Sequence, residues 1–138
     1  MNRSLSFKGT LAVFCVFPVA GALAAPSGIY VRLGSTNKTS ASIVIHVASP
    51  ALVTLSLEVI AKPSPRATVA RTGTLNHQSL AVANGLARYE EHESGTAACA
   101  LVFKLESKRI QVSQSGLCAE FGVGIDATGT YTLRKVKP

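Results

Sequence analysis

The sequence of 138 residues is 47 % hydrophobic, carries a formal charge of +7 and contains three cysteines and no tryptophan. Its bases are scattered apart from Arg134-Lys135-Val136-Lys137, and neither a recognised motif nor an aromatic platform accompanies them, which argues against nucleic acid. Without internal repeats or low-complexity segments, the chain reads as one domain around one core.

Residues 1–24 have the parts of a secretory signal: Arg3 and Lys8, then an apolar stretch, then Ala22-Leu23-Ala24 at the positions a signal peptidase reads. The apolar run of about 15 residues is shorter than the ~20 that span a bilayer. Phe14 before Cys15 rules out a lipobox, which needs a small residue there. Cleavage after Ala24 is expected. It removes Cys15, leaves Cys99 and Cys118 as an even pair, and takes Arg3 and Lys8 with it, so a charge of +7 falls to +5. Residues 25–138 then form one periplasmic or secreted domain.

Along that domain the dominant pattern is alternation with period two, the mark of strands with one buried face. Gly28 to Leu33 is the first expected strand. In ASIVIHVA, Ile43, Ile45 and Val47 face one way; in LVTLSLEVI, Val53, Leu55, Leu57 and Val59 do the same, and Ser49-Pro50 lies between them as a hairpin turn. Lys62-Pro63-Ser64-Pro65 breaks the sheet, since proline cannot donate to a ladder. Arg66 to Leu75 is a weaker strand. Residues 76–93 leave two readings open. Asn84-Gly85 favours a hairpin, because both residues tolerate positive φ, whereas Val82, Leu86 and Tyr89 would share a helical face.

The last third alternates again, with Cys99, Leu101, Phe103 and Leu105 on one face and Ile110 and Val112 continuing it. A turn at residues 106–109 pairs Leu105 with Ile110, Phe103 with Val112 and Leu101 with Gln114. Cys99 then lies opposite Gly116, and a local bulge would bring Cys118 to it. Phe121, Val123 and Ile125 form another inward face, and Tyr131 and Leu133 lie on the final strand. The fold expected is all-β, a single antiparallel meander of about eight to ten short strands curled into a small closed or nearly closed barrel. Closure between Gly28–Leu33 and Thr130–Arg134 removes the exposed edges.

An exported chain with two cysteines at the ends of one hairpin predicts a Cys99–Cys118 disulfide. Redox work favours Cys-x-x-Cys and structural zinc needs four close ligands, so neither fits.

Catalytic signals are weak. A hydrolytic triad needs a nucleophile, a histidine and a carboxylate together, but His46 falls on a polar strand face, His77 in a turn, and Asp126 is the sole aspartate. The run Glu90-Glu91-His92-Glu93 reads as a solvated charge cluster, because neighbouring side chains of a strand point apart. Gly122-Val123-Gly124 with Ala127 imitates a dinucleotide fingerprint but is followed by a turn and a strand instead of the required helix. Asn37-Lys38-Thr39 has the form of a glycosylation acceptor. No catalytic residue, metal ligand or cofactor is expected.

Gly28-Ile29-Tyr30, the cysteine pair, Phe121-Gly122 and Gly129-Thr130-Tyr131 together resemble a loose group of small exported bacterial β-barrel proteins of largely uncharacterised function. The layout is also similar to that of the periplasmic lysozyme inhibitors. That resemblance implies a disulfide-stapled barrel that binds a protein, with Ser27, Gly28 and Tyr30 likened to the inhibitory element. A packing alternative has the Gly-x-Tyr elements closing the barrel. The functional expectation is a non-enzymatic binding module whose partner is a protein or an anionic envelope component. A small-ligand carrier using the barrel interior is the other reading.

Overall fold

A computed structural model describes residues 25–32, 39–63, 65, 69–122 and 124–136. Eight strands follow one another along the chain: β1 (Gly28–Arg32), β2 (Thr39–Ser49), β3 (Leu52–Ala61), β4 (Arg71–Ala83), β5 (Leu86–Glu93), β6 (Thr96–Leu105), β7 (Arg109–Gly116) and β8 (Gly129–Val136). Each pairs antiparallel with the next, and β1 pairs with β8, so the meander closes into an eight-stranded barrel. Closure gives every strand two partners, although β4 and β5 pair only at Val82↔Ala87 and Ala83↔Leu86. Beyond these pairs the segment around Phe121 bonds to both strands, accepting from the Thr74 amide and donating to Glu91. The expected leader, Cys15, Asn37, Lys38 and Val123 lie outside the described residues.

Alternation decides the inside of the barrel. Ile43 and Ile45 of β2, Val53, Leu55, Leu57 and Val59 of β3, Leu101 and Phe103 of β6, and Ile110 of β7 are almost fully buried. Their neighbours Ser42, Val44, Ser56 and Glu58 point outward on the opposite pleat. An eight-stranded barrel is just wide enough for side chains to fill, and here Tyr30, Tyr131, Phe103 and Phe121 supply the largest volumes.

The β6–β7 register is the one the sequence predicts: Leu105↔Ile110, Phe103↔Val112, Leu101↔Gln114 and Cys99↔Gly116. Gly116 has φ +75°, where a Cβ would also lie 2.1 Å from the Ala98 carbonyl oxygen. The chain can therefore turn back at this residue, and Cys118 reaches Cys99 with their Cα atoms 4.9 Å apart in a buried disulfide. Residues 76–93 form a hairpin, with Asn84 and Gly85 both at positive φ in the turn between β4 and β5.

Two expected elements take a different form. The weak strand and the first arm of the hairpin are one long strand, β4. Leu55 pairs with Gln78 and Leu57 with Leu75, so an irregularity falls opposite Ser56. His77 sits in this bulge at φ +49°, its amide donating to Ser56 Oγ at 3.0 Å. His77 thus lies within a strand and not in a turn. A bulge adds one residue and sharpens the bend, which lets one strand do the work of two. In the second case, the described residues of 117–128 form no strand. Their backbone is held by side chains instead, as described next.

Candidate functional site

The loop 117–128 stoppers one mouth of the barrel. Phe121, Ile125 and Ala127 are buried in it, and irregular backbone at a buried position needs partners for its polar groups. Glu91 supplies two: Oε1 accepts the Phe121 N–H at 2.8 Å and Oε2 the Glu120 N–H at 3.0 Å. Gln114 supplies two more, accepting the Ala127 N–H at 2.9 Å and donating to the Ile125 carbonyl at 3.1 Å. Arg32 donates to the carbonyls of Asp126 and Thr128, both at 3.0 Å, with its guanidinium 6.0 Å from the Tyr131 ring centroid. The Phe121 carbonyl accepts from Thr74 of β4.

Glu91 departs from the expectation of a solvated acidic run, being only 7 % exposed. The cause is register: Ala87 and Glu91 lie on the inward phase of β5, while Arg88, His92 and Glu93 are exposed. Gln114 follows Ile110 and Val112 on the inward phase of β7 in the same way. A polar residue at an inward position near a strand end was the signal for a mouth anchor.

Glu91, Cys99 and Cys118 place a carboxylate oxygen and two sulfurs within 4.8 Å of one another. With the sulfurs bonded to each other and the carboxylate engaged by two amides, this cluster is a structural knot. A buried intramolecular disulfide is compatible with an oxidising, exported compartment.

Ser27, Gly28 and Tyr30 tie the first strand to its two neighbours and to the core. Ser27 Oγ accepts the Val47 N–H at 2.9 Å. A Cβ on Gly28 would stand 2.5 Å from the Lys135 carbonyl oxygen, so the missing side chain permits the close approach of β1 and β8. Tyr30 is fully buried and its hydroxyl donates to the Pro26 carbonyl at 2.8 Å. Tyr131 repeats the device at the opposite end, donating to the Ala127 carbonyl at 2.8 Å. In both, a phenol reaches a carbonyl four residues upstream, so the polar tip is satisfied while the ring fills the core. Burial pushes both phenols up to about 12. Tyr89 also rises to about 12, through burial first and then the neighbouring Glu91 and Glu120 carboxylates.

The histidines do not converge. His46, His77 and His92 are exposed on three different strands, and His92 lies 3.4 Å from Glu90. Asp126 is exposed and its Oδ1 accepts the Thr128 N–H.

The outer wall of the barrel also carries shallow recesses. A groove of about 270 Å³ is lined by Ser42, Val44, Ser56, Glu58, Thr74 and Asn76, and a smaller one adjoins it beside Val31, Ser42, Glu58 and Ile60. Cross-strand pairing makes this arrangement: Val31↔Ser42, Ser42↔Glu58 and Glu58↔Thr74 form one row, and Val44↔Ser56 the next. Short side chains leave the wall shallow, and Glu58 gives it one carboxylate. Period two alone marks these residues as outward; nothing in the sequence marks them as a recess.

Comparison with protein-family models, curated proteins and solved structures found no match to this chain.

Proposed function

We propose that this chain is an exported, non-enzymatic binding module that recognises a protein through the outer wall of a filled barrel. The observation that carries the reading is the packing of the inward positions. Tyr30, Phe103, Phe121 and Tyr131, with the aliphatic residues of β2, β3, β6 and β7, occupy the space in which a carrier would hold its ligand. Pockets for small molecules are concave and bury most of the ligand, whereas the grooves over Ser42, Val44 and Glu58 are shallow and lie on the outside. A protein can cover such a surface by shape complementarity.

The disulfide and the signal-like residues 1–24 support periplasmic or extracellular residence. An inhibitor of a lysozyme is the most specific form of this proposal. Because Tyr30 is buried and Gly28 sits against β8, the wall around Glu58 is the contact surface we assign to it.

The test is site-specific photo-crosslinking in an exporting host. A photoreactive residue at Val44 or Thr74 should give one discrete adduct, and one at Ser113 on the far side should give none. A matching panel of lysozymes is assayed with the purified protein. Equal labelling from both sides, or none, contradicts recognition by the wall; no inhibition of any lysozyme removes the inhibitor form alone.

A further inference from the structure

The two ends of the barrel differ in charge. At the end where Ala25 enters, the tips of the β2–β3, β4–β5 and β6–β7 hairpins lie together with the end of β8. The first two tips are joined: the Val82 amide donates to the Ala51 carbonyl at 2.9 Å, Leu52 pairs with Ala81, and Ala83 with Leu86. Their segments, VASPALV at 47–53 and LAVANGLA at 80–87, contain no charged residue.

Pro50, Ala51, Leu52, Ala81, Ala83 and Leu86 are exposed there, Leu52 at 42 % and Leu86 at 44 %. The core does not need these leucines. Val53 and Ala87, their chain neighbours, take the inward positions, and an outward rim position facing water is ordinarily polar. Joined apolar residues of this kind mark an interaction surface.

What the surface meets is indicated by its border. Leu86 has Lys104 as its cross-strand partner. Lys108, Arg109, Arg134 and Lys135 continue around this end, where among the described residues Glu106 is the one carboxylate. Glu106 pairs with Arg109 and, at 3.2 Å, with Lys104, and Arg109 first among them holds its carboxyl below the usual range. Among the described residues the opposite end also exposes apolar side chains, Leu117 and Val69. Its charges are balanced, however, with Arg32, Lys62 and Arg71 against Glu93, Glu120 and Asp126, so it is the charged border that sets the two ends apart.

Apolar tips bordered by bases match the two layers of an anionic bilayer surface, with acyl boundary below and phosphates around. We infer that this end of the barrel docks on an anionic lipid surface, Leu52 and Leu86 entering the headgroup boundary while Lys104, Lys108 and Lys135 meet lipid phosphates. The inference rests on the reading of an exported binding module, and it leaves the wall around Glu58 free for a protein partner. Each base near such a surface contributes about fivefold in affinity, so binding is reversible and sensitive to salt. Ala25 lies at the same end, which places the docking face where export releases the chain.

The experiment is co-sedimentation of the disulfide-bonded protein, recovered from an exporting host, with vesicles of phosphatidylcholine alone or mixed equally with phosphatidylglycerol. Binding is expected only to the anionic vesicles, and it should fade between about 0.1 M and 1 M salt as the screening length falls from about 10 Å to 3 Å. The pairs Leu52→Glu with Leu86→Glu and Lys108→Glu with Lys135→Glu should each weaken it by at least about tenfold, while Lys62→Glu at the other end leaves it unchanged. Circular dichroism confirms that each variant is folded. Equal binding to both vesicle types, no binding, or indifference to both variant pairs overturns the inference. So does a dimer in sedimentation velocity that Leu52→Glu dissolves, since the patch would then belong to a second copy. The crosslinking from Val44 and Thr74 is read separately, so failure at this end is distinguishable from failure of the wall.

Discussion

Replacing Glu91 tests whether a side chain, and not a strand, holds the mouth of the barrel shut. The carboxylate accepts the Phe121 amide at 2.8 Å and the Glu120 amide at 3.0 Å. A hydrogen bond to a charged group contributes about 1.5–3 kcal/mol net, and an orphaned buried donor costs about 1–3 kcal/mol. Phe121 is buried, so its amide is orphaned by Glu91→Ala; Glu120 is exposed, so water replaces that bond. Removing a buried charge returns part of its desolvation cost. The balance is a loss of about 3 kcal/mol for Glu91→Ala. Glu91→Gln should lose about half as much, since its amide oxygen still accepts one N–H. With an urea dependence of about 1–3 kcal/mol per molar, the alanine variant should unfold at a midpoint lower by about 1–3 M. The assay is urea denaturation of the oxidised proteins, with amide exchange at Phe121 as the local reading. A loss under about 0.5 kcal/mol, the usual size for an unremarkable surface substitution, with exchange at Phe121 unchanged, would refute the clamp.

Other consequences are equally direct. Cys99→Ser with Cys118→Ser frees a loop with a sequence separation of 19, and should cost about 3 kcal/mol in the same denaturation assay; an unchanged midpoint contradicts the staple. Gly28→Ala drives a Cβ toward the Lys135 carbonyl oxygen and should lower stability by about 1–3 kcal/mol. If the variant instead keeps its midpoint but loses its partner, Gly28 acts in recognition and not in closure. The folded state holds the Tyr30, Tyr89 and Tyr131 protons up to about 12, above the ordinary value of 10.0. The stability this contributes is present below 10 and is lost as pH rises through about 12. Ultraviolet titration should show no native phenolate near pH 10, and one that ionises there contradicts the burial.

How much of this was legible depends on what each residue faces. Strands β2, β3, β6 and β7 alternate cleanly because one face packs on the core, and the four-residue turn fixes the register from Leu105↔Ile110 to Cys99↔Gly116. Barrel closure was also readable, since the first and last strands, containing Tyr30 and Tyr131, each need a partner for a free edge. Bulges hide from this reasoning: at His77 an added residue reverses the phase, so β4 looks like two pieces separated by a turn. The segment 117–128 misled differently. Phe121 and Ile125 are inward as expected, but their backbone partners are Glu91, Gln114, Arg32 and Thr74, distant in sequence. Long-range side-chain anchors leave no periodic trace, apart from a charge or amide standing at an inward position. The apolar rim at Leu52 and Leu86 is likewise visible only when two hairpin tips are brought together.

The central claim, an exported and oxidised barrel whose interior is closed to ligands, meets its most direct test in native mass spectrometry of the protein recovered from an exporting host. The account predicts one species, residues 25–138, two hydrogen atoms lighter than its reduced form and with no small molecule retained. A chain that keeps residues 1–24, carries free Cys99 and Cys118 thiols, or holds a stoichiometric apolar ligand would contradict it.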